Sequence, residues 1–188
     1  MGFVGARSAY FRKICVFPLS TCQSLGTIME QMGIVQVWPH KGKDFTGRLM
    51  YQFATKFCDD IPALDRIPFS VWYSRVKTIP YKSDDELFPN DPGRVVEVLA
   101  RPGYLMDRNI FQNLDCKKKA ILIGAWAAAN RCPFCFVAVS EMGPRPQDIH
   151  HVFSIVDFGN GWRTADATLP EFYVGQVFPI TYAEELQR

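Results

Sequence analysis

Cys116 stands in Asn113-Leu-Asp-Cys-Lys-Lys-Lys-Ala120 and leads directly into an apolar, helix-like run, Ala120-Ile-Leu-Ile-Gly-Ala-Trp-Ala-Ala-Ala129. A cysteine in the first turn of a helix meets unpaired backbone N–H groups and the positive end of the helix dipole. Both favour thiolate over thiol. Downstream lie two strand-like segments, Ile149-His-His-Val-Phe-Ser-Ile-Val-Asp157 and Gly161-Trp-Arg-Thr-Ala-Asp-Ala-Thr168. Cysteine, histidine and aspartate in that order supply a nucleophile, a base and a carboxylate to orient the base. The set has the chemistry of a thiol enzyme.

The elements that must position these groups can be read from the same third of the chain. The helix after Cys116 runs to about Asn130, with Asn130 or Arg131 at its end. Phe134 to Ser140 reads as a strand, Gly143 to Asp148 as a loop, and Ile149 to Asp157 as a second strand. Phe158-Gly-Asn-Gly161 is a hairpin turn, and Trp162 to Ala167 returns as the third strand. A turn centred on Gly159-Asn160 sets His151 and Asp166 two positions away from directly opposite, within diagonal reach on neighbouring strands. His150 and His151 point to opposite faces of a strand, so only one can meet Cys116. Asp157, at the turn, is the competing carboxylate. The amide of Cys116 is the natural first oxyanion donor. The second could come from Gln112, Asn113, Trp72 or Tyr81, and the sequence leaves that choice open.

Asp115-Cys116 before an Ala/Leu-rich helix, Pro133-Phe-Cys-Phe-Val-Ala-Val139, His151-Val-Phe153, and Trp162 followed by Asp166 and Thr168 together resemble the transglutaminase-like superfamily. The resemblance covers residues 79 to 170, with Ile79-Pro-Tyr81 and Val95-Val-Glu-Val-Leu99 as its looser upstream part. It implies an α+β fold with a papain-like core, in which the nucleophile helix packs on an antiparallel sheet. It also implies Cys116 as nucleophile, His151 as base, chosen by the aromatic Phe153 two residues on, and Asp166 as the orienting group. The implied activity is acyl transfer or amide hydrolysis through a thioester, on a protein or peptide substrate, with no metal or organic cofactor. The chain departs from the family where Leu114 replaces the usual glycine and three lysines replace the usual acidic residues after the cysteine. Small members occur in bacteriophage genomes. The alternative expectation is therefore a non-catalytic structural or assembly protein, such as a virion component, that keeps the fold.

Lys117, Lys118 and Lys119 break a local rule, because cations in a first helical turn oppose the dipole. Two readings remain for them: a group that favours the neighbouring thiolate, or a solvated face or patch for an acidic partner. Cys132-Pro-Phe-Cys135 is a Cys-x-x-Cys unit, yet it follows a helix and enters a strand, and no second pair accompanies it. It reads as packing and not as a redox or zinc site.

The remaining sequence bounds the setting. A chain of 188 residues with 48% hydrophobic and 21% charged residues is ordinary for a soluble globular protein, and 15 phenylalanines point to aromatic packing. A net charge of +2 gives no evidence for nucleic-acid binding, and no run reaches the ~20 apolar residues of a membrane span. Six cysteines form no obvious disulfide framework, which favours a cytoplasmic location, or a virion-associated one for a phage-encoded chain. Residues 1–44 differ in texture and are taken as an N-terminal arm or extension that docks on a protein partner or on its own domain. Residues 45–188 are taken as the transglutaminase-like domain. Arg12 and Lys13 precede apolar residues, but Pro18, Ser20 and Thr21 interrupt any signal-peptide core. Leu19-Ser-Thr-Cys22 and Met1-Gly2 only faintly match lipoprotein and myristoylation signals, and Ala6 stands where the latter wants Ser or Thr.

Within the domain, Leu49, Phe53 and Phe57 predict a helix from Phe45 to Asp60. Residues 61–103 hold six prolines and should fall into short pieces. Pro68 to Val76 fits a strand or a short helix. Ser83-Asp-Asp-Glu-Leu starts one helix, and Asp91-Pro92 caps another over Gly93 to Ala100.

Overall fold

The computed structural model describes residues 33–37, 43–87 and 97–186. In chain order the elements are β1 (Ile34–Val37), α1 (Lys43–Lys56), α2 (Phe69–Lys77), α3 (Asp84–Leu87), β2 (Glu97–Ala100), α4 (Pro102–Met106), α5 (Cys116–Ala129), β3 (Phe134–Ser140), β4 (His151–Asp157), β5 (Trp162–Ala165) and β6 (Tyr182–Glu185). Short 3-10 turns lie at Cys58–Asp60, Leu64–Arg66 and Pro146–Asp148. β3 to β6 form an antiparallel sheet in the order β5-β4-β3-β6, and β1 pairs with β2 in a separate antiparallel ribbon. The class is α+β.

α5 is the centre of the arrangement. Ala and Leu favour a helix, and residues 120–127 are buried on every side, as expected for a helix apolar all round. It packs against α1, α2 and β4. Gly124 permits a close approach to β3, since a Cβ there would stand 2.8 Å from the Phe136 ring and 2.9 Å from the Phe134 ring. Three hydrogen bonds lock its surroundings: Trp72 Nε1 donates to the Leu122 carbonyl at 2.9 Å, Trp126 Nε1 to Ile67 at 2.7 Å, and Ser154 Oγ to Ala120 at 3.1 Å. The helix closes with Arg131 in the left-handed region (φ 56°). Cys132 N–H then returns to the Ala127 carbonyl and Arg131 N–H to Ala128, the pattern of a Schellman cap.

The hairpin register agrees with the turn-centred expectation, with Asp157 opposite Trp162 and Ser154 opposite Ala165. Pro68 to Val76, which fitted either form, is the helix α2, and it buries Trp72, Tyr73 and Val76 on one face. The expected helix over Gly93 to Ala100 is corrected. Residues 97–100 are the strand β2, paired from Ile34↔Ala100 to Val37↔Glu97. Val98, Leu99 and Ala100 are all buried, so an apolar run covered on both faces overrode the apparent cap. Residues 88–96, including Asp91-Pro92, lie outside the described residues, as do residues 1–32 of the N-terminal extension. β1 lies on the extension's side of the boundary at residue 44 and is joined to the domain by this pairing.

The amino end of α5 is held by a buried ionic cluster. Lys118 is fully buried, and its ammonium donates to Asp84 Oδ1 at 2.5 Å and Asp115 Oδ2 at 2.8 Å. Asp84 Oδ2 also accepts the Val98 N–H at 2.9 Å, which ties α3 and β2 to the helix. Burial, with Asp115 alongside, pushes Asp84 up to about 6 against the pull of Lys118. Burial acts on Asp115 in the same upward sense, but Lys118 and Lys117 outweigh it and hold that carboxyl low. Lys118→Met leaves two buried carboxylates without their cation, and a loss of about 3–5 kcal/mol in urea unfolding at pH 7.5 is expected. The loss should shrink toward pH 5, because protonation of the two carboxylates removes the uncompensated charge. A pH-independent loss would show that the carboxylates do not depend on Lys118.

Candidate active site

Cys116 occupies the first position of α5, immediately after its N-cap. Asp115 is extended there (φ −82°, ψ −178°), and its carboxylate accepts the Lys118 N–H at 2.9 Å. The preceding turn is pinned through the backbone. Leu114 N–H donates to Pro80 at 3.0 Å and Lys82 N–H to Leu114 at 3.3 Å, which forms a parallel bridge between Tyr81 and Leu114. Leu114 is fully buried, so the position that carries glycine in the resembled pattern is here a core residue.

His151 opens β4, opposite Val139. Its Nε2 lies 2.6 Å from Asp166 Oδ2, and Cys116 is near enough to favour the charged ring. With Nε2 committed to the carboxylate, Nδ1 is the nitrogen left to exchange a proton with sulfur. Asp166 follows directly on β5 and is almost fully buried. Its Oδ1 accepts the Thr168 N–H at 2.8 Å, and its backbone carbonyl accepts the Tyr73 hydroxyl at 2.5 Å. The next two carbonyls, of Ala167 and Thr168, each accept from Lys119 Nζ at 3.0 Å. The three residues predicted for catalysis therefore converge, and each is braced by its neighbours.

Electrostatics at His151 run in opposite directions. Burial disfavours the imidazolium, but the hydrogen bond to Asp166 and the neighbouring Cys116 prevail and push it up to about 10. An imidazole that holds its proton at pH 7 is the partner a thiolate requires.

The other residues weighed in the sequence fall into place around this centre. His150 is exposed, with its ring 3.2 Å from the Asp148 carbonyl. Asp157 accepts the N–H groups of Gly159 and Gly161 and is a turn residue, away from the imidazole contact. Trp72 is fully buried with its indole N–H spent on Leu122, which removes it as an oxyanion donor. Gln112 is exposed and Asn113 half-buried. Tyr81 is 43% exposed. Burial and the nearby Cys116 and Asp115 push its phenol up to about 12, so it stays a protonated donor beside the nucleophile. Cys58, Cys116, Cys132 and Cys135 are in no disulfide. Among the described residues no group of three or more His, Cys, Asp or Glu side chains could hold a metal ion.

The reading of the lysine run as a solvated face or a patch for an acidic partner needs correction at Lys118 and Lys119. Each is almost completely buried, one on carboxylates and the other on carbonyls, so they are neither a solvated face nor a docking patch. Lys117 remains partly exposed, 4.0 Å from Asp115. Tyr73 and Lys119, which brace the Asp166 turn, are the contributors that sequence reasoning missed. The broken dipole rule at the lysines was the available signal.

A groove of about 540 Å³ adjoins the site, with Lys77, Ile79, Tyr81, Thr168 and Pro170 among its lining. Its lining includes Thr168, whose N–H donates to Asp166 Oδ1, and Tyr81, whose backbone bridges to Leu114. No protein-family model matches the chain, and no curated protein or solved structure does either.

His151 carries a testable consequence. Its folded-state value lies above the ordinary 6.5, so its stabilisation is complete below pH 6.5 and is lost as pH rises through about 10. Asp166→Asn should lower the His151 midpoint by about 1–2 pH units in an NMR titration and flatten the stability loss between pH 7 and 10. An unchanged midpoint would rule out Asp166 as the partner that charges the imidazole.

Proposed function

We propose that this protein is a thiol-dependent acyl-transfer enzyme of the transglutaminase-like, papain-like kind, acting on an amide or acyl group of a protein or peptide. The observation that carries the reading is the position of His151, 2.6 Å from Asp166 through Nε2 and near enough to Cys116 for both to favour the imidazolium. The helix start at Cys116 and the groove beside Tyr81 and Thr168 support it further.

Catalysis on this reading begins with the thiol proton on His151 and the charge on Cys116 Sγ. The thiolate attacks the acyl carbonyl, and the Cys116 N–H receives the developing oxyanion, with Tyr81 Oη as second donor. His151 then delivers its proton to the leaving nitrogen, the C–N bond breaks, and a thioester remains. Water or a second amine, deprotonated by His151, attacks the thioester and restores the thiol. Hydrolysis and amine transfer share every step up to the thioester. Asp166 keeps the ring oriented throughout and balances the imidazolium.

The test is iodoacetamide alkylation of each cysteine against pH, resolved by mass spectrometry, in the wild type and His151→Ala. Cys58 and Cys132 serve as internal references, since burial together with Asp59 and Asp157 respectively pushes both thiols up. At pH 6.5 Cys116 should react at least about 10-fold faster than either, and His151→Ala should abolish the advantage. Equal rates in both proteins would overturn the catalytic reading and leave a non-catalytic role for the fold. Release of amine from glutamine peptides, against incorporation of a labelled amine, then separates hydrolysis from transfer.

A further inference from the structure

Lys119 is the one ammonium of the buried pair that no carboxylate oxygen meets within hydrogen-bond distance. Its Nζ ends on the Ala167 and Thr168 carbonyls, at 3.0 Å each, while its backbone is part of the nucleophile helix. Cys116 and Lys119 stand three positions apart, so they lie on one helical face. The β4–β5 ladder ends at Ser154↔Ala165, one residue before Asp166. Beyond that point sheet pairing no longer places the orienting carboxylate. Tyr73 from α2 holds the Asp166 carbonyl at 2.5 Å, and Thr168 N–H holds its Oδ1 at 2.8 Å. Lys119 therefore grips the same short turn from the side of the nucleophile.

We propose that Lys119 is a positioning residue, which sets Asp166, and through it His151, in register with Cys116 by clamping the 166–168 backbone to the nucleophile helix. The assignment rests on the reading of Cys116, His151 and Asp166 as a working triad. It gives the lysine that replaces an acidic residue of the resembled pattern a specific task. An acidic side chain could not donate to two carbonyls, and a neutral donor such as glutamine is shorter and offers two N–H groups on one planar nitrogen. Burial draws the Lys119 ammonium down to about 8, with the Asp166 carboxylate opposing that fall, which keeps the charged donor in place at neutral pH. Thr168 also lines the groove, so the same clamp shapes the wall on which a substrate would lie.

Lys119→Met fills the same volume without the donors. With far-UV circular dichroism as the check on folding, Cys116 alkylation at pH 6.5 should slow by roughly 10- to 100-fold and lose its acid-side advantage. Because Lys119 acts through Asp166, the Lys119→Met, Asp166→Asn double variant should be no slower than Asp166→Asn alone. A purely structural lesion would instead add its full effect to that of Asp166→Asn. A wild-type pH profile in Lys119→Met, or full additivity in the double variant, overturns the proposal while leaving the triad intact. Should wild-type Cys116 itself alkylate no faster than Cys58 and Cys132, the triad reading fails and the positioning role falls with it. If Lys119→Met does not fold, Tyr73→Phe loosens the same turn from α2. It should then show the same slowing and the same non-additivity with Asp166→Asn, and additivity there overturns the clamp.

Discussion

The constraint that organises this structure is the burial of the amino end of an apolar helix. α5 must sit in the core because it has no polar face, yet its first turn exposes unpaired N–H groups and carries two lysines that cannot reach water. Each of those groups needs a partner, and the partners come from distant parts of the chain. Asp84 arrives from α3, Asp115 from the cap, and the Ala167 and Thr168 carbonyls from the end of the β4–β5 hairpin. Satisfying the lysines thus draws a short helix, a strand through Val98, and a sheet corner to one point. Cys116 stands at that point.

The same convergence explains the electrostatics of the site. A buried imidazole on its own would favour the neutral form. Here the carboxylate at 2.6 Å, with Cys116 nearby, reverses that preference. In a water-poor site such charge-assisted bonds are stronger than at a surface, and they are lost if one partner shifts. That sensitivity is why Asp166 is held by its side chain, by Tyr73 through its own carbonyl, and by Lys119 through the next two. Tyr81 is held by its backbone bridge to Leu114, two positions before Cys116. A glycine at 114 would surrender that residue's place in the core.

Parts of the chain whose local chemistry and long-range pairing agree were legible without coordinates. The α5 helix, the β3 and β4 strands and the Gly159-Asn160 turn each have a clear period or turn residues. The hairpin register followed from the turn alone, and it brought His151 and Asp166 within reach. Where local and distant preferences disagreed, the reading failed. Asp91-Pro92-Gly93 looked like a helix start, but Val98 and Leu99 found a partner strand in Val35 and Gln36 across the fold. Pro68 to Val76 was ambiguous because Trp72, Tyr73 and Val76 suit either period until α5 is present to receive them.

By itself, then, the sequence determined the identity and order of the three reactive groups, the helix start that presents the cysteine, and the hairpin that pairs histidine with aspartate. All of these depend on residues close in sequence, so short-range geometry suffices. Only the tertiary structure decided what Lys118 and Lys119 hold and where the N-terminal strand belongs. Lysine is exposed in most proteins, so a charge run reads as surface until a buried acceptor is found. Apart from Asp115 in the cap, the acceptors lie 34 residues upstream of Lys118 and 48 and 49 residues downstream of Lys119, distances over which no local pattern carries information.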